Sequence, residues 1–418
     1  MFYGWWNVLA SFVGLSLSYA MFTVFAFGTF VAPLEAEFGW QRGPMSLALT
    51  IANMTVVIAS PLMGSVVDRI GVRPVLLVSV TLMGLCVGSM SQLSGNIWHY
   101  YLMHLLIPFL GAGTLPLTYS RLIIAWFARK RGLALGISLA GFGVGATLVP
   151  ALAQYMIEHW GWREAYLVFA ALILFVSLPS AALLLREKPA DIGEVVDGHD
   201  VAEQASGDRS DKKPDSDAAV GLSGHEAVRQ LSFWLVFGSF LLVGVGITSI
   251  LAHLVPMLIG RGIEPAVAAW CMSALGFGLI FGRIIAGYMM DNYFAPHVAA
   301  LFLIGLLAGI IILALGASGP VVFLAAILVG LATGSEISEI AYIVSRYFGQ
   351  RAFGMIYGVM FAAFQVGSAF GAYAMGWYYD YAGDYLLALW LASAMVAVGI
   401  ILILLLQPYP ALRRMDPS

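Results

Sequence analysis

The stretch "GSVVDRIGVRP" at residues 64–74 decides how this chain is read. It closes an apolar run and sets Gly64, Asp68, Arg69, Gly71 and Arg73 within ten positions of one another. A second stretch, "GYMMDNYFAPH" at 287–297, opens in the same way with Gly287 and Asp291. Both pairs are offset by 223 positions, and Pro33 and Pro256 share that offset. "AWFARKRGLALG" at 125–136 resembles "RYFGQRAFG" at 346–354. Matches in one order at nearly one offset indicate an internal duplication.

The composition says what is duplicated. Of the 418 residues, 61 % are hydrophobic and 10 % are charged, which no soluble domain of this size shows. A membrane span needs about 20 mostly apolar residues. Twelve such stretches occur, near 8–32, 44–66, 75–92, 98–126, 133–156, 164–185, 232–258, 266–289, 297–315, 320–345, 354–377 and 385–407. Backbone groups in lipid must be satisfied internally, so these are helices. A barrel would show short alternating segments. The expected fold is an all-α integral membrane protein of twelve transmembrane helices in two pseudo-symmetric six-helix halves, 1–185 and 231–418. The polar stretch 186–230 between them reads as a linker, disordered over much of its length.

Twelve spans put both termini on one side. Fifteen of the 20 Lys and Arg residues then share that side, and only Arg42, Arg163 and Arg261 lie opposite. The positive-inside rule places the termini in the cytoplasm, with the chain in the plasma (inner) membrane. The first apolar stretch lacks a basic flank and a cleavage site, so it reads as a retained helix. Cys86 and Cys271 both lie in spans and suggest neither a disulfide framework nor a metal site. Gly136, Gly141, Gly143 and Gly145 in the fifth span permit close helix approach. They form no phosphate loop, because the Lys-Ser/Thr of that motif is missing.

Four charged residues lie inside the spans: Arg121, Arg283, Glu336 and Glu339. An ionisable group in a span is a functional-site hypothesis by default. Arg283 sits two helical turns inside the linker-side end, roughly 12 Å deep. Its guanidinium fork matches a carboxylate; the competing reading is an ion pair with Asp291 or a span-ten Glu. Arg121 lies roughly 9 Å from its helix end, where it either snorkels or pairs with a carboxylate as a gate. Glu336 and Glu339 share a helix face, and two carboxylates in low dielectric should not both ionise. They form a candidate proton-binding element, with static bridges to the two arginines as the competing reading. His253 can take a proton or attract an anion, or can pack by hydrogen bonding. Tyr119 can donate to a substrate or pack between helices. Phe361 and Phe364 would limit a cavity to small, partly apolar anions.

"GSVVDRIGVRP" resembles the loop signature of the major facilitator superfamily, and the resemblance covers the whole chain. The second copy departs, with Asn292 in place of the Arg, which weakens the case for a gate there. "YGWWNVLASF" at 3–12, "SYAMFTVFAFG" at 18–28 and "PLTYSRLIIAWFARKRGLALG" at 116–136 look like the bacterial monocarboxylate porters. These belong with the monocarboxylate/proton symporters and the oxalate/formate exchangers. In that group an Arg in span eight stands eight residues before the loop residue, as Arg283 does before Asp291. The oxalate exchanger has a span-eleven Lys where this chain has Phe364, and the animal lactate carriers have a Lys near the position of Thr23. Both departures argue against a dicarboxylate.

The resemblance implies a secondary transporter. The expected cargo is a lactate- or pyruvate-sized monocarboxylate with a proton, moved by alternating access. Arg283, Tyr119, His253, Phe361 and Phe364 are the expected substrate contacts. Glu336, Glu339 and His253 are the proton-coupling candidates, Glu339 being favoured on depth. Gly64, Asp68, Arg69, Gly71, Arg73, Arg121 and Asp291 are the gating set. The competing functions are anion exchange of the oxalate/formate type, export of another small molecule, and a non-transporting sensor. No enzyme activity, cofactor, metal or nucleic-acid partner is expected, and the protein should work as a monomer in the bilayer.

Overall fold

The computed structural model describes residues 2–197 and 221–410. It is all-helical, and twelve helices are long and apolar enough to cross a membrane. Spans one to six are Gly4–Phe25, Leu47–Ile70, Val72–Gln92, Ile97–Trp126, Arg131–His159 and Trp162–Leu184. Spans seven to twelve are Leu231–Gly260, Trp270–Asn292, Ala295–Ala314, Pro320–Tyr347, Phe353–Ala382 and Leu386–Leu404. Each apolar stretch of the sequence has become one span. Met54, Ile58, Leu62, Val66 and Ile70 form an exposed apolar row at every fourth position of span two, a face suited to hydrocarbon.

Spans one, four and six depart from a continuous α-helix, span six through a wide turn at Ile173–Ser177. Span one stops its α-helix at Ser16, passes through a wide turn at Met21–Phe25 and resumes as Phe27–Phe38. Span four runs Ile97–Leu110, tightens at Gly111–Thr114 and resumes at Pro116. Pro116 has no N–H to continue the ladder, and the Gly-Ala-Gly sequence before it tolerates the tight turn.

The chain divides into two compact units. The first holds spans one to six apart from Lys130–Gly136; the second holds spans seven to twelve together with Lys130–Gly136. Glycines make the close helix contacts in both. In the first unit Gly141 and Gly145 of span five lie on the Phe12 and Ser16 carbonyls of span one. The Ser16 hydroxyl donates to the Gly141 carbonyl at 2.9 Å. In the second unit Gly367 and Gly371 of span eleven meet the Leu241 and Val245 carbonyls of span seven. Spans eight and ten interlock reciprocally: Gly278 and Gly282 face Ile327 and Leu331, while Gly330 and Gly334 face Leu275 and Leu279. Small residues at a four-residue repeat let backbones touch, which in lipid replaces the hydrophobic drive that helices lack there.

The polar stretch is ordered at both ends. Asn7 exchanges two hydrogen bonds with the backbone of Arg186, at 3.0 and 3.3 Å, and the Trp126 indole donates to the same carbonyl at 2.8 Å. Glu187 accepts the Val72 N–H, Glu194 the Tyr3 N–H, and Asp197 the Ala128 and Arg129 N–H groups. Residues 186–197 thus form a strap across the linker-side ends of the first unit. In the second unit the Leu222 N–H donates to the Phe348 carbonyl at 2.8 Å, and Ser223 with Glu226 caps the short helix Gly224–Val228. The disorder expected from composition therefore does not apply to these ends; residues 198–220 lie outside the described residues.

A Cβ on Gly334 would run into the Leu279 carbonyl, whereas one on Gly276 meets nothing within 4 Å. Gly334→Val should therefore separate spans eight and ten and cost about 1–3 kcal/mol by overpacking. Gly276→Ala should melt like the parent in detergent, and equal melting of both variants would refute the interlock.

Candidate functional site

The interlock of spans eight and ten builds the site in the second unit. Arg283 follows Gly282, one of the contact glycines, so its side chain starts where the two backbones touch. Its Nε–H donates to the Gly334 carbonyl at 3.0 Å. The guanidinium is 2 % exposed, Glu336 3 % and Glu339 1 %. Burying charge in apolar surroundings is tolerated only with electrostatic compensation. The carboxylate of Glu336 acts electrostatically on Arg283. Glu339, one turn nearer the linker side, meets the hydroxyl of Ser335 instead. One oxygen of each carboxylate, Oε1, has no hydrogen-bond partner among the described residues.

Span eleven adds an aromatic row. Phe353, Tyr357 and Phe361 succeed one another at four-residue spacing, with ring centroids 5.7 and 6.2 Å apart. Phe361 and Phe364 are both buried. Tyr357 is the residue that sequence reading missed. It is the first letter of "YGVMFAAFQVG", one turn before Phe361, and that helical spacing was the available signal.

His253 sits elsewhere. Its Nε2 donates to the Ala372 carbonyl at 3.0 Å, and its ring lies 5.6 Å from Tyr385. It ties span seven to span eleven in the half away from the linker. Counted along the helices from the linker side, it stands roughly 20 Å from the level of Arg283 at 1.5 Å per residue.

In the first unit Tyr119 is buried, its ring lies over Gly14 of span one, and its hydroxyl has no partner among the described residues. Arg121 forms an ion pair with Asp68, joining span four to span two within the same unit. Arg73 donates to the Ala182 carbonyl at 2.8 Å, at the end of span six. Gly71 has φ +93°, which Glu187 packs against, so a side chain there would be both strained and blocked. The second copy of the loop behaves differently. Asp291 accepts the Gly132 and Leu133 N–H groups at 2.6 and 2.8 Å, capping the start of span five.

Profiles of the Major Facilitator Superfamily match residues 12–264 and 236–417. The chain belongs to this superfamily. It is 25 % identical to monocarboxylate transporter 13 of Bos taurus over 414 residues, covering 95 % of this chain and 88 % of that one. It is 24 % identical to the uncharacterized MFS-type transporter YhjX of Escherichia coli (strain K12), covering 84 % and 83 %. The proton:xylose symporter XylE superposes with a TM-score of 0.75 at 15 % identity, over 97 % of this chain and 96 % of that chain. That last likeness is one of fold. The protein is thus a multi-pass membrane transporter of small molecules and not an enzyme, and it resembles the monocarboxylate porters.

The Asp68–Arg121 pair is mostly buried, with side-chain exposures of 10 % and 22 %. A double-mutant cycle on Asp68→Ala and Arg121→Ala, read by melting in detergent, should give a coupling of about 1–3 kcal/mol. Additive single effects would remove the pair from any latch.

Proposed function

We propose that the protein is a proton-coupled symporter of a small monocarboxylate, working by alternating access from the inner membrane with both termini cytoplasmic. In this reading the six-helix halves are 1–185 and 231–418, joined by the linker 186–230, and a monomer suffices. The observation that carries the proposal is the buried Arg283 lying in the field of the buried Glu336. The similarity to monocarboxylate transporters supports the substrate class.

The mechanism follows from charge balance. The Nε–H bond to Gly334 fixes the guanidinium plane, so the terminal nitrogens present the fork to an arriving carboxylate. The anion then takes over the role of Glu336. Left without its cation in a dry site, Glu336 must bind a proton, because an unpaired buried carboxylate is costly. Substrate and proton are linked, and the loaded site has no added charge. Glu339 lies beside the Ser335 hydroxyl, which also donates to the Ala332 carbonyl at 3.0 Å. Because the field of Glu336 acts on Arg283, our reading makes Glu336 the carrier in place of Glu339, the one favoured on depth.

Phe361 and Phe364 give the site its apolar wall, and with Phe364 in the place of a Lys one cation serves the substrate. This favours a monocarboxylate over the dicarboxylate of an oxalate-type exchanger. Tyr119, with its unpartnered hydroxyl, is the further substrate contact that the first unit would offer. Asp68, Arg69, Arg73, Arg121 and Asp291, with Gly64 and Gly71, would serve as the linker-side latch.

Two measurements in proteoliposomes test the proposal. Arg283→Lys keeps the charge but loses the fork, so uptake of a labelled monocarboxylate should fall by more than about tenfold. Wild-type affinity in that variant would leave Arg283 purely structural. Glu336→Gln should retain counterflow yet fail to concentrate substrate under an inward proton gradient, while Glu339→Gln retains both. Accumulation by Glu336→Gln at the parent level would refute its role as the carrier.

A further inference from the structure

At the linker-side end of the second unit lies a cavity of about 350 Å³. Its walls come from the end of span ten, the loop to span eleven, the first residue of span five and the stretch after span twelve. Arg131, Ser345, Arg346, Gly349, Gln350 and Tyr409 line it, with no carboxylate among the described residues of its wall. Arg131 donates from Nη1 to the Ser345 hydroxyl at 3.2 Å. Arg346 lies over the Tyr409 ring at 4.7 Å and near the Tyr342 ring at 6.0 Å. Among the described residues no carboxylate pairs with Arg346, and its side chain is exposed.

Tyr409 is itself fixed. Its hydroxyl accepts the Ala295 N–H at 2.9 Å, and its ring packs on Phe294 and Tyr347 at 4.9 and 5.3 Å. The aromatic face that orients Arg346 is therefore rigid. Arg346, oriented by these rings, presents forked donors at the cavity, with Arg131 in the same wall, an arrangement suited to a tetrahedral oxyanion. Span ten ends at Tyr347 and span twelve at Leu404, so the cavity lies at helix ends, where headgroup phosphates are found.

We propose that this cavity binds a phosphate group, carried either by an anionic lipid headgroup or by free phosphate. The test uses the purified full chain in detergent, stripped of lipid, with melting temperature read against three probes: a phosphatidylglycerol, a diacylglycerol without phosphate, and inorganic phosphate. Phosphatidylglycerol should stabilise the parent and diacylglycerol should not. Arg346→Gln should weaken the apparent affinity about five- to tenfold, as loss of one near-surface cation predicts, with Arg346→Lys in between. The same Arg346-dependent shift with inorganic phosphate would assign the site to the free anion; its absence, to the lipid. The proposal falls if diacylglycerol stabilises equally, or if Arg346→Gln and Arg131→Gln both respond to phosphatidylglycerol and phosphate as the parent does.

Discussion

The second unit depends on the backbone contact between spans eight and ten. Gly278, Gly282, Gly330 and Gly334 each lie against a main-chain atom of the other helix. In lipid such contact is the principal source of helix association, since apolar side chains gain little by leaving one another for acyl chains. The contact also has a chemical effect. It brings the Gly334 carbonyl within reach of Arg283, two residues from Glu336, and both charged residues are buried. A larger residue at any of these glycines would move the arginine as well as loosen the pair. Packing and electrostatics in this unit are therefore one constraint seen from two sides.

A second theme is the use of acidic side chains as caps. Glu187, Glu194, Asp197 and Asp291 all accept backbone N–H groups at helix starts or loops on the linker side. The first N–H groups of a helix lack internal partners and carry the positive end of its dipole, so a carboxylate serves them well. Glu226 does the same for Ser223, and those hydrogen bonds hold its carboxyl below the usual range. Because the folded value is the lower one, this cap contributes above the ordinary carboxylate range and is lost as the pH falls through the depressed value. Residues 186–197 are highly polar, yet they are ordered because their polar groups have main-chain partners.

That explains what was legible in the sequence. Twelve spans and the duplication follow from hydropathy and spacing, since lipid forces helices on long apolar runs. Arg283, Glu336 and Glu339 stand out because charge is rare inside a span. Their surroundings are not legible: Arg283 turns toward span ten and donates to the Gly334 carbonyl, and Glu339 lies beside the Ser335 hydroxyl. Arg121 gave two readings, and only three-dimensional proximity selects Asp68, 53 positions earlier, as its partner. The strap was missed for a related reason. Composition reports that Glu187, Glu194 and Asp197 are polar, but not that unsatisfied backbone donors await them.

The two loop copies show how a duplicated motif can part company. Both retain a Gly and an Asp at one offset, but in the first the Asp faces an arginine and in the second it faces bare N–H groups. The rest of each sequence agrees. The first copy keeps Arg69, Gly71 and Arg73, and its turn needs Gly71 at positive φ to pack against Glu187. The second has Asn292, Tyr293 and Phe294, and its chain enters span nine with no positive-φ residue. An ion pair between two side chains can be broken and remade by modest displacement, whereas a carboxylate held by two main-chain N–H groups moves only with the helix that it caps. The Asp68 contact is thus one between side chains of spans two and four, and the Asp291 contact one that ties the start of span five to the end of span eight.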